Sequence, residues 1–492
     1  MKQQRTIYFN DARHYYLFVF EPPMTLEDAC RPIDECSGTS VDTFIYGVAR
    51  ADGLFYNSKA GMQFKHGEHG IDSPGFQQAA YWRLWNNIQS LIDRNIDPLS
   101  VLIDKAHAQN MEFFASLRLG SYGGIKPEFL LENGGGAFLH EEVRSHQSNV
   151  LKELANDYET DGLELDFAAP PSGDSYLLPP NHTYKDKGII TDWVSEISSI
   201  VKNRNKPKIL GARIYPTERL NLSAGIDVKK MITEGLLDYV TPMIYAYNIL
   251  DSNMPIEWLI DLTKNSNTSV YPMLQPRYHD NENDLYQIEY ATPEMMCAGA
   301  ANFYDKGADG LYTHSLQWPL SEIETSILSD IGNKSVLKEK NKHYFINRAT
   351  DAISKVDYKT HLPVTIPIEK IGIPHPLEFY ISDGVENLSK RITQITFKVR
   401  IYDLVSADQI NFNLNGKSII NETCKRSYGD VKPYNLMWLE FTLEKVRPCK
   451  GKNVLDITLV ERAKDLVSSI RIEDVEIIIE YGSYPTTLSS NS

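Results

Sequence analysis

The sequence predicts a (β/α)8 barrel followed by an antiparallel β-sandwich. Eight short β-rich runs alternate with longer amphipathic stretches over roughly the first 330 residues. The texture then changes at about residue 335 to period-two patterns with no helix among them. No glycine-rich phosphate turn follows the first strand, which disfavours a doubly wound open sheet.

The barrel strands are expected at 6–9, 43–48, 112–118, 162–167, 208–214, 239–247, 269–276 and 310–314. Between them, helical patterns cover 79–94, 97–109, 141–156, 190–203, 227–235, 255–264 and 293–306. Punctuation supports several: Asp97-Pro98 opens one helix, Thr292-Pro293-Glu294 opens another, and Lys306-Gly307 closes it. Further strands are expected at 376–382, 391–403, 408–413, 436–445, 452–460 and 468–481. Turns such as Asn415-Gly416 and Gly451-Lys452-Asn453 separate them. The expected organisation is a barrel over 1–335, a linker over 336–350, a sandwich over 351–485 and a frayed tail over 486–492.

Composition narrows the function classes. Of 492 residues, 50 are Lys or Arg and 65 Asp or Glu, a net charge of −15. So acidic a chain has no general pull on nucleic acid or anionic membrane, and neither partner is expected. No run approaches the 18 or so apolar residues of a spanning helix. No apolar leader follows Met1, so a cytoplasmic location is expected unless an export signal preceded this sequence. The five Cys are too sparse for a disulfide scaffold and lack metal-ligand spacing, although Cys424 and Cys449 suit a pair in an exported protein. His66-Gly-Glu68-His69 reads as a solvated loop, and no cofactor or metal is expected.

In such a barrel, chemistry sits at the C-terminal ends of the strands. On the fourth strand, alternation turns Leu163, Leu165 and Phe167 toward the helices, and Gly162, Glu164 and Asp166 toward the interior. Two buried carboxylates on one strand are costly unless paired, so at least one is expected to work. The same alternation points Ser116, Arg118, Arg213, Tyr215, Gln275 and Arg277 inward, with Arg50 just beyond strand 2. Asn10 and Asp11 end strand 1, Tyr245 and Tyr247 end strand 6, and His314, Gln317 and Trp318 follow strand 8. Trp318 suits either a sugar-stacking platform or a core cap.

The Asp161-Gly-Leu-Glu-Leu-Asp166-Phe segment resembles the fourth-strand signature of glycoside-hydrolase-like barrel proteins. The phrases Gly38-Thr-Ser-Val-Asp42-Thr, Ala106-His107-Ala-Gln-Asn-Met111-Glu-Phe-Phe and Gly307-Ala-Asp-Gly310-Leu-Tyr are similar to those of bacterial hydrolase-like proteins with a barrel joined to a β-sandwich. The strand-4 phrase is also similar to that of chitinases, whose acids alternate and end in a catalytic Glu. Here Ala168 occupies that place, and Ala246 follows Met243-Ile244-Tyr245 where an Asp is expected.

These readings converge on a glycoside hydrolase acting on an acidic or sulfated glycan. Asp166 is the expected nucleophile or transition-state stabiliser, and Glu164 its partner. Asn10, Asp11, Arg50, Arg118, Arg213, Tyr245, Gln275, Arg277, His314 and Trp318 are expected to bind substrate. The second catalytic carboxyl stays open among Asp11, Asp52, Glu218, Asp251, Asp280 and Glu282. If all four guanidinium groups of Arg50, Arg118, Arg213 and Arg277 are bidentate to protein carboxylates, a neutral glycan follows instead, with specificity resting on Tyr245, Gln275, His314 and Trp318. A uronate lyase with Tyr245 as base, and a barrel that binds without turnover, are the rival readings.

Overall fold

The computed structural model describes the chain except residues 1, 12–15, 51–52, 65–75, 120–123, 133–135, 168–175, 204, 245–248, 280–288, 350, 386–390, 429–435 and 483–492. Side chains at 16–17, 50, 76–77, 279, 351–352 and 428 are also outside the description.

Eight parallel strands form a closed barrel. They are β1 (Thr6–Asp11), β2 (Thr43–Gly47), β3 (Glu112–Arg118), β4 (Gly162–Asp166), β5 (Ile209–Ile214), β6 (Tyr239–Pro242), β7 and β8 (Leu311–His314). β7 comes in two pieces, Ser269–Val270 and Met273–Leu274, on either side of Tyr271-Pro272. Its first piece pairs with β6 and its second with β8, while β8 pairs with β1. That handover inside one strand is what closes the sheet.

Alternation sorts the side chains as the sequence predicts. Leu163, Leu165 and Phe167 join the core between sheet and helices. Ile7, Phe9, Ile45, Phe114, Tyr239, Met243, Tyr271, Met273 and Tyr312 fill the barrel itself, making it a packed interior and not a pore. The helices carry the expected caps: Asp97 accepts from Leu99 N at 2.9 Å and Ser100 N at 3.0 Å, and Thr292 accepts from Met295 N at 3.3 Å. Glu141–Asn156 is a helix end to end, as expected. Helices Leu26–Asp34 and Glu322–Ile331 escaped the periodicity reading. Each opens with a capping box, Thr25 with Asp28 and Ser321 with Glu324, a signal present in the sequence. Among the described residues, no helix is long and apolar enough to cross a membrane.

Beyond the barrel lie β9 (Lys342–Phe345), β10 (Val364–Ile366), β11 (His375–Ile381), β12 (Ile392–Tyr402), β13 (Gln409–Leu414), β14 (Lys417–Ser418), β15 (Thr423–Tyr428), β16 (Leu436–Thr442), β17 (Gly451–Glu461) and β18 (Ile470–Tyr481). One antiparallel sheet runs β9-β18-β12-β16-β15 with β10 also on β18, the other β11-β17-β13-β14. Their inner faces share one apolar core, with Phe397, Phe412 and Phe441 in mutual ring contact at 5.5–5.7 Å.

The expected linker over 336–350 needs correction, because 342–345 is strand β9, paired along β18 from Lys342↔Ile479 to Phe345↔Glu476. Alternation explains it: Tyr344 enters the sandwich core while Phe345 joins the barrel's core. A short helix, Asp351–Ser354, also stands where only strands were expected. Polar contacts join barrel and sandwich. Tyr380 N donates to Asn253 Oδ1 at 2.9 Å, Asn302 Nδ2 donates to Tyr380 O at 3.0 Å, and Tyr278 OH donates to Glu476 at 2.8 Å.

Candidate active site

The register of three neighbouring strands builds the site. Ser116 on β3 lies opposite Glu164 on β4, and Glu164 opposite Gly211 on β5. Two residues further, Arg118, Asp166 and Arg213 form the next row. All point inward, so the lower row meets as Ser116 and Glu164, and the upper row as two guanidinium groups around one carboxylate.

Glu164 is fully buried. Ser116 Oγ donates to it at 2.7 Å, Tyr239 OH at 3.0 Å and Tyr312 OH at 3.0 Å. Arg213 Nε stands 3.0 Å from the same carboxylate, close enough for ion pairing but outside hydrogen-bond alignment. Gly211 makes room for Tyr239: a Cβ there would fall 1.9 Å from the Tyr239 ring. Burial pushes the Glu164 carboxyl above its usual range, against the opposing pull of Arg213 and the Ser116 hydrogen bond.

Asp166, also buried, is held at Oδ2 by Arg118 Nε at 3.2 Å and Arg213 Nη2 at 2.9 Å. Arg213 Nη2 also donates to Ser116 Oγ at 3.0 Å, and its guanidinium lies 4.3 Å from the Phe9 ring centroid. Such stacking suits a weakly hydrated planar cation. Arg213 Nη1 has no hydrogen-bond partner, although the side chain is buried. Phe9, Asp11, Gly47, Ala49, Ser116, Arg118 and Arg213 line a cavity of about 180 Å3, its open rim included. The space enclosed between these side chains has room for about one water molecule.

The structure brings some of the expected residues together and separates others. Glu164, Asp166, Arg118, Arg213 and Asp11 converge. His314 packs on Phe9 with ring centroids 5.0 Å apart, and Gln275 Nε2 donates to Ile244 O at 3.0 Å. Asn10 alternates away from the interior and is buried. Tyr215, expected inward, joins the helix-facing core. Trp318 packs edge-on to Phe20 at 5.8 Å and under Arg31 at 5.7 Å, in the outer layer. Arg277 sits half-buried in a short hairpin beyond β7. The Arg50 side chain, Tyr245, Tyr247, Asp52, Asp280, Glu282 and the 66–69 loop lie outside the described residues.

Of the other candidate acids, Asp251 is engaged at the sandwich by Tyr358 OH at 2.5 Å and Asn347 Nδ2 at 3.1 Å. Glu218 begins the helix Glu218–Ser223. Tyr239 and Tyr312 were not among the expected site residues, and Ser116 was expected to point inward but was given no role. Their signal was the inward alternation of β3, β6 and β8, but pairing across the barrel requires the closed sheet. Among the described residues, no group of three His, Cys, Asp or Glu is placed to hold a metal ion. All five cysteines are free.

No protein-family model matches the chain. No curated protein matches it either. Solved structures with a similar fold include a Paenibacillus sp. cycloisomaltooligosaccharide glucanotransferase, at 11% identity and a TM-score of 0.34, covering 95% of this chain and 57% of that one. The chain thus spans little more than half of that enzyme's length. The glycoside hydrolase domain of PgaB (BpsB) from Bordetella bronchiseptica aligns at 12% identity and a TM-score of 0.42, over 67% of this chain and 99% of that one. A maltogenic α-amylase from Thermotoga neapolitana aligns at 11% and 0.39, over 95% and 97%. Likenesses this distant decide nothing about activity, and the fold rests on the strand pairings above.

Proposed function

We propose that the chain is a glycoside hydrolase whose barrel mouth cleaves an O-glycosidic bond. The observation that supports this most is that Asp11, from β1, shares a small cavity with Arg118 and Arg213, the two guanidinium groups that hold Asp166 of β4. Glycosidic cleavage needs two carboxyl groups flanking an oxocarbenium-like centre. Asp166, oriented by two guanidinium groups, is the carboxylate that faces the developing positive charge. Asp11, on the cavity wall, takes the proton-donor role left open by the sequence. Glu164 lies one row deeper and acts through Arg213 and Ser116.

The acidic or sulfated character expected from the arginines is not carried forward. That argument requires at least two of the four arginines at one pocket without carboxylate partners; Arg118 and Arg213 both have such partners, and the Arg50 side chain lies outside the described residues. One observation favours a second reading, a barrel that binds glycan without turnover: Asp166 is buried and doubly paired, as a purely structural carboxylate would be. Product analysis on a panel of oligosaccharides separates the readings. Hydrolysis yields new reducing ends and requires Asp166 and Asp11, a lyase yields an unsaturated product absorbing in the near ultraviolet, and a binding barrel yields neither.

A further inference from the structure

We propose that the barrel mouth selects an uncharged, hydroxyl-bearing sugar, with Arg213 Nη1 donating to one of its oxygens. The proposal rests on the glycan reading above and adds substrate class and a specificity residue. Among the described residues, inward-facing polar atoms at this end of the barrel that have no hydrogen-bond partner include Arg213 Nη1 on β5, Thr241 Oγ1 on β6 and Gln275 Oε1 just past β7. Their residues are no more than 1% exposed. Arg213 and Thr241 are register partners on adjacent strands, so both side chains leave the sheet on its inner side, and Arg213 lines the cavity. Buried polar atoms of this kind are rare in proteins and ask for a partner.

Their chemistry identifies that partner. Arg213 Nη1 can only donate. Gln275 has committed its amide nitrogen to Ile244 O, so Oε1 can only accept. Thr241 Oγ1 can do either. Sugar hydroxyls both donate and accept, so they suit each of the three kinds of atom. A carboxylate or sulfate only accepts and would leave Gln275 Oε1 facing a negative charge. Charge points the same way. Arg118 and Arg213 are matched one for one by Asp166 and Glu164. Among the described residues that line the cavity, no further cation is left to meet an added anion, which would be desolvated there. Arg213 thus offers a strong hydrogen bond without a net positive field.

The test measures binding, so that it stands apart from turnover. Neutral gluco-, galacto-, manno- and fuco-configured oligosaccharides and their uronate or sulfated counterparts are titrated calorimetrically into the whole protein at low and high salt. The expected result is affinity for a neutral member that salt leaves unchanged, because no ligand charge is screened. In R213K, which keeps the charge facing Glu164 and Asp166, that affinity falls about 10- to 100-fold, the loss of one charge-assisted hydrogen bond. Q275L, which keeps every ion pair, lowers affinity by a smaller factor. Tighter, salt-sensitive binding of the acidic members overturns the proposal, as does unchanged neutral affinity in both variants when each melts like the wild type. Neutral binding without cleavage supports the selectivity and removes only the hydrolase reading. Binding of no sugar in either class removes both.

Discussion

Barrel and sandwich each bury carboxylates. In the barrel, Glu164 and Asp166 lie inside a closed ring of strands, and their partners Arg118, Arg213, Ser116, Tyr239 and Tyr312 come from four other strands. In the sandwich, Glu473, Asp474 and Glu476 crowd along β18 and take partners from Arg348, Arg400, Arg471, Lys398 and His343. The second cluster ties neighbouring strands of one sandwich sheet to each other, and Tyr278 links it to the hairpin beyond β7. It lines no described cavity. Both clusters hold buried polar atoms without a hydrogen-bond partner, but in the first, one of them, Arg213 Nη1, belongs to a side chain that lines an opening. Buried charge is thus no mark of function by itself; an unsatisfied donor at an opening is the better one.

The largest effect should come from the upper row of the barrel. Asp166→Asn keeps the shape but removes the charge that a cationic transition state needs, and kcat is expected to fall on the order of 10³-fold or more. Activity above roughly a tenth of wild type would return Asp166 to the structural class that β18 represents.

Glu164→Gln comes next. It leaves Arg213 with one carboxylate where it had two, an expected cost of about 3–5 kcal/mol in denaturant unfolding. A variant that unfolds like wild type would mean the lower row contributes nothing by its charge.

The two clusters should also respond oppositely to acid. Burial disfavours the Glu476 anion, but the hydrogen bond and charge of His343, with Lys398 and Tyr278, outweigh it and hold the carboxyl at about 2. Its folded value lies below the unfolded 4.5, so its stabilisation is complete above pH 4.5 and is lost as pH falls through about 2. The loss is expected to be about 3 kcal/mol, and Glu476→Gln should flatten that part of the melting profile. Glu164 has the contrary shift, so its native form takes up a proton before its unfolded form does. Its contribution therefore declines as pH rises through that interval, and Glu164→Gln should remove this decline. Parallel profiles for the two variants would break the distinction.

The smallest effect is expected at Trp318. Replacement by Leu should leave KM for any cleaved glycan within about threefold, since the ring packs on Phe20 and Arg31 in the outer layer. A larger rise would place the tryptophan back at the mouth.

The eight barrel strands, six of the sandwich strands and the inward side of β3 and β4 were legible in the sequence, whereas β10, β14 and β15 were not expected. Alternation is a local property, so Glu164 and Asp166 could be turned inward on β4 from five residues alone. The sandwich announced itself through period-two runs in the same way. Other features needed the fold. β9 was too short and too polar to read as a strand until β18 offered it an edge. Trp318 and Tyr215 follow strand ends, where alternation no longer constrains direction, and packing drew both into the outer layer. Above all, closure of the barrel decided the site. Sequence supplied the arginines, but only the register across β3, β4 and β5 shows that Arg118 and Arg213 hold Asp166, because a side chain's partner across a barrel is set by pairing many residues apart in the chain.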